Sequence, residues 1–172
     1  MASATVRKAA GIGLTDAAAL LFIYLVPTLS HLTAVPFYLI DPMRLAVLGA
    51  LLATRNWKNA LVLAVTLPLF SSAIGMHPVF PKCLLIAVEL AANVLLFVWL
   101  ARVLGKGANG RGVRIGAAAF ISIVLSKVLY YALKALVLSA GLLQMELIST
   151  GLWIQLAIAV LISIAFGILW RR

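Results

Sequence analysis

What most constrains this chain is the length of its apolar runs. One of them extends from Ile148 to Trp170 without a charged side chain and stops at Arg171-Arg172. A helix needs about 20 residues to cross the ~30 Å hydrocarbon core of a bilayer. In that core every backbone amide must be satisfied within the protein, so such a run is expected to be helical. Comparable runs recur along the chain. They explain why 65% of its 172 residues are hydrophobic and only 10% charged, with a mean hydropathy of +1.18. A soluble domain is nearer to about half apolar and a quarter charged. The expected fold class is therefore all-α, a polytopic membrane protein. With short loops the length holds about six spans. That is a single six-helix transmembrane domain over residues 1–172, with no room for a soluble nucleotide-binding fold.

The first span is expected over about Ala9–Leu29, brought to its outer end by Pro27, Ser30, His31 and Pro36. Arg7 and Lys8 precede it as in a signal peptide. No clear small-residue cleavage site ends the run before Pro27, so an uncleaved signal-anchor helix is expected. Asp41-Pro42 reads as an N-cap and first helical position for a second span to Thr54. That span is short and is expected to extend back into Phe37–Ile40. A third span follows over Ala60–Ile74, kinked by Pro68. Pro81–Leu104, Val113–Ala140 and Ile148–Trp170 supply the remaining three. No internal repeat is visible, which argues against the inverted-repeat architecture of many secondary transporters.

Charge asymmetry orients the chain. Arg7, Lys8, Arg55, Lys58, Arg102, Lys106, Arg111, Arg114, Arg171 and Arg172 fall in the N-tail, the 2–3 turn, the 4–5 loop and the C-tail. The opposite loops hold only Arg44 and Lys82, beside Asp41 and Glu146. The positive-inside rule places both termini in the cytoplasm of a bacterial-type cell membrane. The net charge of +10 is then topological and needs no nucleic acid to explain it.

Polar residues inside the spans carry more information. At about 1.5 Å per residue, Glu89 lies about 12 Å below Pro81, and Asn93 about 18 Å. Lys127 lies about 21 Å above Val113, at a depth similar to that of Glu89. An ionised group alone there costs at least about 2.5 kcal/mol, so the two are expected to share a polar pocket. Lys127, Tyr130, Tyr131 and Lys134 form one helical stripe. Lys82, Glu89 and Asn93 form another. Both open toward the outer surface, where Arg44, His77, Gln144 and Glu146 can reach the mouth. Plainer roles exist for these residues. Lys82 and Lys134 suit snorkelling to headgroups, Tyr130 and Tyr131 an interfacial belt, and His77 an ordinary loop. Glu89 and Lys127 could be a structural ion pair. Asp16, also inside a span, needs a partner or water. Arg44, Lys82, Lys127 and Lys134 outnumber Asp41, Glu89 and Glu146 by about one charge, a lean toward an anionic ligand. Tyr130, Tyr131 and Phe80 could stack on a planar ring.

Enzymatic signatures are lacking. The sequence has no HExxH, no GxSxG and no paired carboxylates on one helix. Two histidines without a third ligand make a poor metal site. The single cysteine, Cys83, excludes an internal disulfide and reads as a small apolar residue at a helix start. No filter motif suggests a channel. Span 1 carries Ala9, Gly13 and Ala17 at four-residue spacing, a flat stripe that another helix can approach closely, inside this chain or outside it.

With six spans, cytoplasmic ends, that first-span stripe and a polar second half introduced by GMHPVFPK and VELAANVLLF, the chain resembles the membrane-embedded substrate-binding (S) components of energy-coupling factor (ECF) transporters. The resemblance implies high-affinity capture of a vitamin or related micronutrient from outside the cell. Later spans and the 1–2, 3–4 and 5–6 loops would hold it. It also implies that Ala9, Gly13 and Ala17 dock on a transmembrane coupling subunit carrying two ATPase subunits. ATP would be hydrolysed by those partners, with no cofactor in this chain. Glycine at the middle of the stripe departs from the usual alanine. Two alternatives stand beside this reading. One is a self-contained proton- or ion-coupled secondary transporter; the other is a membrane scaffold whose polar residues only pack.

Overall fold

The computed structural model describes residues 4–33, 37–75, 78–104, 110–141, 147–148 and 151–170. Among them lie six α-helices: α1 (Ala4–Thr33), α2 (Pro42–Thr54), α3 (Trp57–Gly75), α4 (Phe80–Leu104), α5 (Arg111–Ser139) and α6 (Leu152–Leu169). A 3₁₀ turn, Phe37–Ile40, precedes α2. Five of the helices are long and apolar enough to cross a membrane.

The exception is α2, whose 13 residues span only about 20 Å. The chain does extend back from it, but not as one helix. Asp41 takes a left-handed conformation, φ 52° and ψ 62°, which separates the 3₁₀ turn from α2. Pro42 occupies the first turn of α2 as expected, whereas the Asp41 side chain makes no capping hydrogen bond and turns to other partners described below. Pro27 does not end α1, which continues to Thr33. A proline removes only its own amide and strains one preceding turn. Hydroxyls on outward helical faces are satisfied locally: Thr15 donates to Gly11 O and Thr33 to Leu29 O.

Helix α4 is the centre of the bundle. Half of its apolar span is buried, against 17% for α1. Its Leu90, Val94 and Phe97 pack into one core with Leu48 and Leu51 of α2, Ala64 and Leu67 of α3, Ile115 of α5 and Phe166 of α6. Leu14, Leu32, Val113 and Trp153 face outward, each more than 70% exposed, as lipid contact allows. Asp16 receives a hydrogen bond from Asn59 Nδ2 at 2.6 Å, the partner its depth requires.

Helices α5 and α6 approach closely enough that glycine is sterically required. A Cβ on Gly116 would lie 2.9 Å from Ser163 O, and one on Gly167 would lie 3.0 Å from Gly112 O. The α1 stripe is different: Ala9, Gly13 and Ala17 are exposed, and a Cβ on Gly13 would meet nothing within 4 Å. Packing within the chain is therefore not what uses that stripe.

One end of the bundle is defined by arginine. The Arg55 guanidinium, after α2, donates to Leu169 O at 2.9 Å and Trp170 O at 3.3 Å. It also lies 4.0 Å above the Trp170 ring. The 2–3 turn and the end of α6 are thus neighbours.

Candidate functional site

Four charged side chains meet at the other end. Arg44, on the first turn of α2, is 1% exposed, and Glu89, midway along α4, is 3% exposed. Arg44 Nη2 pairs with Glu89 Oε1, and Arg44 Nε lies 3.1 Å from Asp41 Oδ2. Lys127, on α5, closes the square: its Nζ is 2.9 Å from Glu89 Oε1 and 3.2 Å from Asp41 Oδ2. Two cations and two anions cancel, which is how a bundle interior tolerates full charges. The left-handed backbone at Asp41 places its carboxylate between Arg44 and Lys127. Strain of this kind is retained where surrounding contacts enforce it.

These four residues line a cavity of about 420 Å³, within the size range of small-molecule sites. Its walls include residues of all six helices. Apolar surface comes from Ile23 and Val26 of α1 and from Ile158 and Ile162 of α6. Tyr130 and Tyr131 supply an aromatic wall, their ring centroids 5.4 Å apart at 69°. Lys127 Nζ sits 5.4 Å from the Tyr130 ring centroid. Tyr131 and Gln155 of α6 are hydrogen-bonded, with Gln155 Nε2 2.7 Å from the Tyr131 hydroxyl. Lys82 and Val79 stand at the loop side.

The depth estimate that paired Glu89 with Lys127 agrees with the geometry. Of the two sequence stripes, Lys82, Glu89, Lys127, Tyr130 and Tyr131 line the cavity together with Arg44. Asn93 and Lys134 do not. Asn93 is buried one turn below Glu89 and donates to Ser122 Oγ at 3.0 Å. Lys134 is 1% exposed and donates to Leu147 O at 2.9 Å, so it does not snorkel to the surface; its ammonium lies 5.9 Å from the Tyr130 ring centroid without lining the cavity. His77, Gln144 and Glu146 lie outside the described residues. Cys83 is buried and free. Among the described residues, no three His, Cys, Asp or Glu side chains are placed to hold a metal ion.

Two contributions go beyond the sequence reading. Asp41, read as a helix cap and as one of the charges at the mouth, bridges Arg44 and Lys127, and its i, i+3 spacing to Arg44 is a visible pairing signal. Gln155 was a lone amide in an apolar run, which is the pattern of a functional intramembrane polar group.

Among the described residues, Arg44 Nη1 and Asn93 Oδ1 are buried without a hydrogen-bond partner. If Asn93 only braces α4 on α5, Asn93→Ala should cost about 0.5–1.5 kcal/mol of stability and leave ligand affinity within about twofold. Paired thermal unfolding and binding measurements would check this.

No protein family, curated protein or solved structure matches the chain.

Proposed function

We propose that this chain is the membrane-embedded substrate-binding subunit of an ATP-driven importer of the ECF type. It captures a vitamin-sized micronutrient at the extracellular side. The observation that carries the reading is the cavity: about 420 Å³, with walls from every helix and a charge-neutral network at Arg44, Asp41, Glu89 and Lys127. Six spans, with α2 and its 3₁₀ turn forming the second, fit the cytoplasmic termini to which the distribution of basic residues points. The cavity then opens to the outside. Lys82 adds one cation to a neutral network, leaving a lining charge of about +1 and a preference for an anionic ligand. The Tyr130–Tyr131 wall suits a planar ring. Ala9, Gly13 and Ala17, exposed on α1, serve as the docking stripe for a coupling subunit whose two ATPases supply the energy.

The test is mass spectrometry of small molecules released from gently purified protein. One ligand per chain is expected, with at least about tenfold weaker binding in Lys127→Met. Gly13→Leu should abolish co-purification with ATPase-bearing partners while leaving ligand binding intact. A second reading draws on the buried Glu89 carboxylate, which shares Lys127 with Asp41: a self-contained proton- or ion-coupled transporter. Uptake by the isolated chain in liposomes, driven by a proton gradient, would favour it and sink the first. If neither Glu89→Gln nor Lys127→Met alters binding of any metabolite that co-purifies with the protein, the network is a structural one.

A further inference from the structure

A second cavity, of about 260 Å³, lies at the arginine end of the bundle. Three guanidinium-bearing residues line it: Arg55 after α2, Arg102 near the end of α4 and Arg111 at the start of α5. Trp57 and Trp170 stand beside them, with Val98 and Ile115 as apolar wall. None of the described carboxylates lines it. Asp41 and Glu89 belong to the first cavity, and Asp16 is held by Asn59. Burial and, after it, the like charge of Arg111 lower the pKa of Arg55.

The backbone marks the same place. Among the described residues, the non-glycine positions with positive φ are Asp41 and Arg55, one at each end of α2. Each sends its side chain to a different cavity. Arg55 is already engaged: it donates to the terminal carbonyls of α6 and covers Trp170. That fixes one wall of the cavity. Arg102 and Arg111 are exposed and remain to act on a ligand.

Topology alone explains why basic residues collect at this end. It needs only charge, however, and is met equally by lysine. Convergence of arginines from three segments onto an aromatic-walled cavity is what recognition of phosphate oxygens requires, because the planar fork donates two parallel hydrogen bonds. The apolar wall admits a ligand whose phosphate is attached to hydrocarbon.

We propose that this cavity binds the phosphate of an acidic phospholipid, with Arg102 and Arg111 as its donors. The site is independent of the importer reading and of which membrane face it occupies.

The experiment uses the full chain in nanodiscs of phosphatidylglycerol and phosphatidylcholine, transferred to detergent for native mass spectrometry. Retention of about one acidic lipid per chain is expected, with little retained phosphatidylcholine. Arg102→Gln/Arg111→Gln should weaken retention about tenfold or more. Arg102→Lys/Arg111→Lys keeps the charge and the topology, and should weaken it less. Arg7→Gln/Lys8→Gln, altering charges on α1 outside the cavity, should leave it unchanged. Equal retention of both lipids would overturn the proposal, as would a lysine double variant indistinguishable from the parent. Binding of inorganic phosphate without any retained lipid would overturn the lipid assignment.

Discussion

Arg44→Met is expected to be among the most damaging single changes in the chain, lowering stability by roughly 3–5 kcal/mol. Arg44 is almost fully buried and faces both Glu89 and Asp41. Without it, two carboxylates share the single ammonium of Lys127, and one negative charge is left uncompensated in the bundle. The companion change makes the argument specific. Arg44→Met/Glu89→Leu leaves one balanced pair, Asp41 with Lys127, and replaces a buried ion pair by apolar volume. Such replacements are often neutral or stabilising, so the double variant should recover most of the loss. Unfolding of the parent, both single variants and the double variant in one detergent gives the coupling directly. A double variant as unstable as Arg44→Met would show that volume or local backbone, and not charge balance, governs the site. Ligand affinity is expected to fall in every one of these variants, because the network lines the cavity.

The second large effect is expected at Gly116. Its missing Cβ would lie 2.9 Å from the Ser163 carbonyl oxygen, a backbone atom that moves only if α6 moves. Gly116→Ala should cost about 1–3 kcal/mol by overpacking, and Gly116→Leu more, by forcing α5 from α6. The reverse sign is expected for Gly13→Ala, where nothing lies within 4 Å. There the helix gains up to about 1 kcal/mol from replacing glycine. Opposite signs at two small-xxx-small glycines, measured by thermal unfolding, would separate a stripe used within the chain from one left open. A Gly116→Ala variant as stable as the parent would contradict the α5–α6 approach.

Gly116 illustrates what was not legible in the sequence. Gly112 and Gly116 on α5 have the same spacing as Ala9, Gly13 and Ala17 on α1, with Gly167 opposite on α6. Spacing identifies a flat face but does not say which helix lies against it. Lys134 makes the same point. It shares a helical stripe with Lys127, Tyr130 and Tyr131, yet it does not line the cavity; its ammonium bonds the Leu147 carbonyl and lies 5.9 Å from the Tyr130 ring centroid. A stripe covers several turns, and a cavity occupies only part of that length. Depth was more dependable: the rise per residue is nearly constant in a helix, and it brought Glu89 and Lys127 to one level before any packing was known.

By itself, the sequence determined the helical class, the approximate position of each apolar run and the common depth of Glu89 and Lys127. Lipid imposes these conditions, because it demands internal hydrogen bonding of the backbone and a partner for each buried charge. Only the tertiary structure decided that Asp41 leaves its capping role to bridge Arg44 and Lys127, that Gln155 holds Tyr131, that the α1 stripe stays open, and that arginines from three segments meet at the far end. Each of these depends on how a helix is rotated about its own axis against its neighbours. That rotation is set by side-chain packing across the bundle, which the periodicity of a single helix does not contain.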